Sequence, residues 1–173
     1  MAIGEPLEEF KKRNMEAIQS GKPHNPDITM PEKWPDINMG RYKNLGKSVL
    51  GAAGIERRDQ AARMQHFITM FGLFDAPALL LLLTDKSIEL EYSMLDIGLF
   101  LQSFCLSAHD RGLGTCILAC TVMCPGVARS VFSIPDTKRL VMGAAIGWPD
   151  PDAPVNNFER ERGELGEFVR MIR

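Results

Sequence analysis

The sequence predicts a single-domain α+β protein. Two apolar runs of strand length, at residues 78–84 and 139–146, indicate buried strands, whereas the apolar run at 91–111 is long enough to indicate a helix. A length of 173 residues fits one domain or one subunit of an obligate dimer. The chain therefore divides into a helix at 1–20, a proline-rich loop at 21–40, a core at 41–149 and a C-terminal tail at 150–173.

The composition excludes several classes of protein. Hydrophobic residues make up 45% and charged residues 24% of the chain, which predicts a folded protein and not a disordered one. A net charge of −2 argues against a nucleic-acid partner. The N-terminus does not resemble a signal peptide, and the longest apolar run is too short to span a bilayer. We expect a soluble, cytoplasmic protein with no membrane partner.

Local signals place the remaining elements. Leu7 and Phe10 lie at helical spacing in a helix at 6–19, and Asp59 is a suitable N-cap for a helix that ends near Phe71. Further helices are predicted at 41–50 and 125–132, and a further strand at 115–119. Gly112 and Gly114 should end the long helix, because glycine takes the left-handed conformation without steric cost.

The four cysteines do not predict a metal site. Cys116, Cys120 and Cys124 are four residues apart, but they fall in a predicted strand and loop, where this spacing does not bring them together. Free thiols that pack as small hydrophobic groups are the better interpretation. The sequence also lacks the patterns of a Ser-His-Asp hydrolase, a phosphate-binding P-loop or a dinucleotide-binding fingerprint.

Arg160 and Arg162 are candidates for anion binding. Alternate residues of an extended segment point to the same side, and two guanidinium groups suit a phosphate. The competing interpretation is a solvated run in which Glu159 and Glu161 balance the two positive charges. Spacing alone favours the solvated run.

Several segments, in order, resemble one family. They are FGLFDAP at 71–77, DIGLFLQ at 96–102 and AHDRGLGTC at 108–116, followed by shorter matches at 134–135, 143–148, 150–156 and 161–162. From about residue 41 to 171 the chain resembles the nitroreductase superfamily of flavin enzymes, and within it the branch of nitrobenzoate-type reductases.

This resemblance implies a fold and an activity. The fold would be a mixed, mainly antiparallel sheet flanked by helices, in an intertwined homodimer whose core contains the long helix at 91–111, buried on all sides. FMN would lie in the dimer interface and pass a hydride from NAD(P)H to a nitroaromatic, a quinone or a related small-molecule acceptor.

The resemblance also assigns residues. The backbone of Ile117 and Leu118 would face the flavin ring, and Arg160 and Arg162 would hold the FMN phosphate. Phe71 and Phe74 would lie near the acceptor pocket. No catalytic side chain and no metal ligand is assigned.

One part of the family pattern is not found. Members begin with an Arg-Arg-Ser-x-Arg motif, followed by a Ser-x-x-Asn-x-Gln-Pro-Trp segment, and neither occurs here. Arg57 and Arg58 are followed by aspartate in mid-chain and do not match. We therefore expect an N-terminally shortened member of the family. The alternative is a dimeric scaffold that binds flavin weakly and is not a catalyst.

Overall fold

The fold is α+β, as the sequence predicts. The structure is a computed structural model that describes residues 1–21 and 24–172, so residues 22–23 of the predicted loop and residue 173 of the predicted tail lie outside it. The helices are α1 Gly4–Gln19, α2 Asp36–Ala52, α3 Gln60–Phe71, α4 Leu90–Asp110 and α5 Pro125–Phe132. The strands are β1 Ala2–Ile3, β2 Ala78–Asp85, β3 Gly114–Leu118 and β4 Lys138–Gly147.

The four described strands form one antiparallel sheet. Their order is β1-β2-β4-β3, and each neighbouring pair runs antiparallel. Strand β4 is the longest and pairs along most of its length with β2 on one side, and through its second half with β3 on the other. This confirms the prediction of a mainly antiparallel sheet.

Both faces of the sheet are covered by helices. On one face, Leu79 and Leu140 join a core built with α1, α3 and α5. On the other face, Leu82 and Ala144 pack with Leu101 of α4. The aliphatic run of β2 therefore alternates between two cores, which confirms a strand buried on both faces.

Helix α4 is buried on only one side within a single chain. Ser93, Leu101 and Ala108 are its buried residues. Its outer side exposes large apolar side chains, with exposed fractions of 75% for Tyr92, 59% for Leu95, 62% for Leu99, 53% for Phe100 and 60% for Leu106. The expected burial of α4 on all sides is therefore not found among the described residues of a single chain.

Two predicted boundaries were wrong. Helix α2 begins at Asp36, so residues 36–40 of the predicted proline-rich loop are helical. Pro35 occupies the N-cap position and Asp36 places a carboxylate in the first turn, where it complements the helix dipole. The predicted N-terminal helix is preceded by β1, a strand of two residues that is too short to carry a hydrophobic pattern.

A carboxylate–guanidinium pair fastens the proline-rich loop to the domain. Asp27 accepts hydrogen bonds from the guanidinium of Arg129 on α5 and from the backbone N–H of Leu140 on β4. Arg129 also donates to the carbonyl oxygens of Pro135 and Lys138, at 3.0 and 2.9 Å. Loop, helix and strand are thus joined by one partly buried network.

A close contact inside the sheet requires glycine at position 143. A Cβ atom built on Gly143 would lie 2.3 Å from the hydroxyl oxygen of Thr121 and 2.8 Å from its Cβ. Thr121 is fully buried and donates to the carbonyl oxygen of Leu118 at 2.6 Å. Gly143 therefore provides the space in which the turn after β3 is seated.

Replacement of Asp27 by alanine should destabilise the protein. The change leaves the partly buried Arg129 guanidinium without its main partner, so we expect a loss of about 2–4 kcal/mol in the free energy of unfolding, measured by urea denaturation. Asp136 contacts the same guanidinium at 3.8 Å but is 96% exposed, so Asp136→Ala is the matched control and should change stability by about 0.5 kcal/mol or less. Equal losses in the two variants would contradict the role given to Asp27.

Replacement of Gly143 by alanine should also destabilise the protein, by about 1–3 kcal/mol, because the new methyl group must displace Thr121. Gly46 offers a control inside α2, since a Cβ there meets nothing within 4 Å. Gly46→Ala should raise stability by up to about 1 kcal/mol, since alanine is the better helix former. Thermal unfolding of both variants measures the difference, and an unchanged Tm for Gly143→Ala would disprove the packing argument.

Candidate functional site

The predicted flavin-facing residues lie on an edge strand. Among the described strands, β3 pairs only with β4, which leaves its other edge without a strand partner. Ile117 lies opposite Ala144, so both side chains point to the α4 face of the sheet, where Ile117 is 49% exposed. Leu118 points the other way and is buried in the core. Of the two, Ile117 is the residue at the surface.

The turn after β3 is held rigidly. The amide nitrogen of Asn14 on α1 donates to the carbonyl oxygen of Cys120 at 3.2 Å, and Asn14 is fully buried. Its side-chain oxygen is buried without a hydrogen-bond partner among the described residues. Together with the hydrogen bond from the Thr121 hydroxyl to the carbonyl oxygen of Leu118, this contact holds the end of β3 beside β4.

The loop that carries Phe74 has an unusual backbone. Leu73, Phe74 and Asp75 all have positive φ, at 59°, 53° and 56°. Non-glycine residues seldom take this conformation, and three in succession require strong support from the surroundings. Leu73 supplies that support because it is fully buried, while Phe74 is left 43% exposed. The sequence holds no signal for this turn, since the left-handed residues are not glycines.

Of the two predicted pocket residues, only Phe74 is at the surface. Phe71 is 2% exposed and belongs to the main core. Its ring lies 4.2 Å from that of Phe67, centroid to centroid. Phe71 therefore supports the loop from within the core, whereas a ligand on the solvent side of the loop would contact Phe74.

The two tail arginines contact only the tail in the described part of the chain. Arg160 donates to the carbonyl oxygens of Asn156 and Phe158, and its guanidinium lies 4.8 Å from the centre of the Phe158 ring. Arg162 donates to the carbonyl oxygen of Glu161 at 3.0 Å. Neither forms an ion pair there, so both retain donors for an anion. No hydrogen bond, ion pair or ring contact among the described residues links them to β3 or to Phe74.

The cysteines are free thiols, as predicted. Burial raises the pKa of Cys116 and Cys124, and it raises the pKa of Cys120 to about 12 with a further contribution from the charge of Cys116. All three are thus neutral at pH 7, which makes them poor nucleophiles and poor metal ligands. In the described residues, no group of three or more His, Cys, Asp or Glu side chains is arranged to hold a metal.

One carboxylate has a strongly lowered pKa. Hydrogen bonds from the backbone and the hydroxyl of Ser87, followed by the contact with Lys138, hold the pKa of Asp85 well below its usual range. Asp85 and Lys138 are paired across β2 and β4, where their side chains are 3.0 Å apart. This group fastens the ends of the two strands and is fully ionised at neutral pH.

An apolar cavity of about 450 Å³ lies on the α4 side of the sheet, at the C-terminal end of that helix. Ala78, Phe104 and Ile146 contribute to its walls, and Trp148 borders it. Gly112 has a φ of +76°, and a Cβ there would lie 3.3 Å from the Trp148 ring. Gly112 therefore ends α4, as predicted, and also makes room for Trp148. The prediction for Gly114 was wrong, because this residue begins β3 and is not left-handed.

No described helix combines the length and the apolar composition needed to cross a bilayer.

Known proteins share both the sequence pattern and the fold. The sequence model of the Nitroreductase family matches residues 31–148. The chain is 33% identical to nitrobenzene nitroreductase of Ectopseudomonas oleovorans over 132 residues, which cover 76% of this chain and 58% of that protein. It is 31% identical to 4-nitrobenzoate reductase of Pseudomonas putida over 132 residues, again 76% of this chain and 58% of that protein. The chain thus spans less than two thirds of these relatives.

A solved structure gives the same result. The FMN and NADPH-dependent nitroreductase NfnB of Sphigopyxis sp. strain HMH superposes with a TM-score of 0.93 at 27% identity. The superposition covers 99% of this chain and 78% of that chain. The predicted fold class is therefore confirmed. Since the family match extends over more than half of the chain, this chain belongs to the nitroreductase family.

Proposed function

We propose that this chain is an FMN-dependent oxidoreductase that passes a hydride from NAD(P)H to a nitroaromatic, a quinone or a related acceptor, as a homodimer. The observation that carries the proposal is the backbone match, over 99% of this chain, to an FMN and NADPH-dependent nitroreductase. The sequence relatives are named for reducing nitrobenzene and 4-nitrobenzoate, which supports a nitroaromatic acceptor.

The residues present fit FMN. The outer edge of β3 offers backbone groups without a strand partner, beside the exposed Ile117, where a flat ring can pack. Arg160 and Arg162 form no ion pair with a carboxylate among the described residues, so their guanidinium groups are suited to bind a phosphate. FMN, when bound, supplies the redox chemistry, while the protein orients the ring and excludes water from it.

The exposed face of α4 supports a homodimer. This α4 face, made of Tyr92, Leu95, Leu99, Phe100 and Leu106, is a contiguous strip of large apolar groups on one helix. Such a strip typically marks an interface with another protein. We propose that a second copy of the chain buries it, and that the tail of one copy completes the flavin site of the other.

Flavin binding tests the proposed function directly. The purified chain should take up FMN, show flavin absorption bands and lose them when NADPH is added without oxygen. Arg160→Ala with Arg162→Ala should raise the Kd for FMN by about 100-fold or more, because two charge-assisted contacts to the phosphate are lost. Lys12→Ala with Lys33→Ala removes the same charge outside the tail and should leave the Kd within about twofold of the parent. A colourless protein that ignores FMN would instead favour the non-catalytic scaffold.

The α4 face can be tested independently of flavin. Leu99→Glu places a charge in the middle of the face and should convert the dimer to monomer, because burial of an unpaired carboxylate is strongly unfavourable. Light scattering coupled to size exclusion measures the mass. Lys12→Glu, on the opposite side of the sheet, is the control and should remain dimeric. A dimer in both variants, or a monomeric parent at micromolar concentration, would argue against this interface.

A further inference from the structure

A second groove lies along α3 and the loop that precedes it, and none of the site residues assigned so far lines it. Its volume is about 980 Å³, near the upper end of the range for small-molecule sites. One part of its wall is basic and another part is apolar. The lining residues are Arg57, Arg58, Gln60, Arg63, Met64 and Phe67.

The loop before α3 brings the three arginines together. Gly54, with a φ of +68°, ends α2, and the chain then turns through a hydrogen bond from the N–H of Asp59 to the carbonyl oxygen of Glu56 at 3.1 Å. The guanidinium of Arg63 reaches back from the first turn of α3 and donates to the carbonyl oxygen of Arg57 at 3.1 Å. This bond fixes Arg63 against the loop that carries the other two arginines.

The positive charge of the groove is not neutralised by its neighbours. Among the described residues, no ion pair within 4.0 Å involves Arg57, Arg58 or Arg63. The adjacent acids are Glu56 and Asp59, and Asp59 is used as the N-cap, where it accepts from the N–H of Ala62 at 2.8 Å. Three guanidinium groups concentrated at one groove, in a chain of net charge −2, favour an anionic ligand.

The apolar part of the groove wall indicates which class of anionic ligand would bind there. Phe67 is 40% exposed, and its inner side rests on the buried ring of Phe71. An aromatic ring held in this way is a stacking surface for a nucleobase. Arginines that bind phosphate beside a ring that stacks a base suit a nucleotide better than a free anion.

Helix α3 links this groove to the predicted acceptor pocket. It spans 12 residues, or about 18 Å, from the arginine loop to the turn that carries Phe74. A dinucleotide has two ends that must be bound at separate places, and the two sites lie along the same helix. We infer that the groove binds the adenosine 2′-phosphate end of NADPH, so that the protein prefers NADPH to NADH. This inference rests on the proposed function, since it names the hydride donor.

Titration calorimetry with oxidised nucleotides tests the inference without turnover. NADP⁺ and NAD⁺ differ only in the 2′-phosphate, so NADP⁺ should bind the parent protein at least about tenfold more tightly. Arg57→Ala with Arg58→Ala should abolish this preference, whereas Lys12→Ala with Lys33→Ala, which removes the same charge elsewhere, should keep it. Arg58→Ala alone should reduce the preference severalfold and gives a second result if the double variant unfolds.

Three outcomes would overturn the inference. One is equal affinity of the parent for NADP⁺ and NAD⁺. The second is an unchanged preference in the arginine variants, and the third is displacement of NADP⁺ by inorganic phosphate at equal concentration, which would indicate a general anion site.

The titration does not need bound flavin. A protein that ignores FMN but binds NADP⁺ through these arginines would disprove only the proposed function, and a flavoprotein reduced equally well by NADH and NADPH would disprove only the groove.

Discussion

The sheet depends on the two-sided burial of β4. Its residues face one helical layer at Leu140 and Ala145 and the other at Ala144, while Gly143 leaves the space that Thr121 fills. Because strands pair residue by residue, a shift of one position in β4 would exchange its two faces and lose both cores. The strand part of the candidate site is positioned by this register. Ile117 is fixed opposite Ala144 on one neighbouring strand.

The same strand fixes the loop before β2. A Cβ on Gly147 would lie 2.9 Å from the ring of Pro77, so the end of β4 is shaped to accept that proline. Pro77 lies two residues after the left-handed turn that exposes Phe74. The strain of that turn, of order 1–3 kcal/mol for each residue, is thus opposed by the buried Leu73 on one side and by the sheet on the other. A strained loop held in this way keeps Phe74 in one position.

The sequence predicted those features that depend on neighbours in the chain. Asp59 indicates a helix start, Gly112 indicates a helix end, and the aliphatic runs indicate strands, because each signal acts within one turn or one strand. Features that depend on distant segments were missed. The two-residue β1 exists only through pairing with β2, and the turn at Leu73–Asp75 is held by burial and not by glycine.

Two pairs of arginines give further examples of contacts that the sequence alone does not reveal. Arg57 and Arg58 match no family motif, and only the folded position of Arg63 brings them into a shared groove. The family resemblance assigns Arg160 and Arg162 to a phosphate, yet among the described residues of a single chain they contact only the tail.

The exposed face of α4 offers a physical reason why Arg160 and Arg162 contact only the tail in the described part of a single chain. An apolar helix covered on one side only is stable in water when a second surface covers the other side, and the proposed dimer supplies that surface. A site completed by the tail of a second copy needs no convergence of its parts within one chain. The arginine groove differs in this respect, because the loop before α3 and α3 itself, both from a single chain, supply all its lining residues. Dissociation of the dimer should therefore affect the two proposed sites unequally, since the flavin site would lose its phosphate contacts while the groove would remain complete.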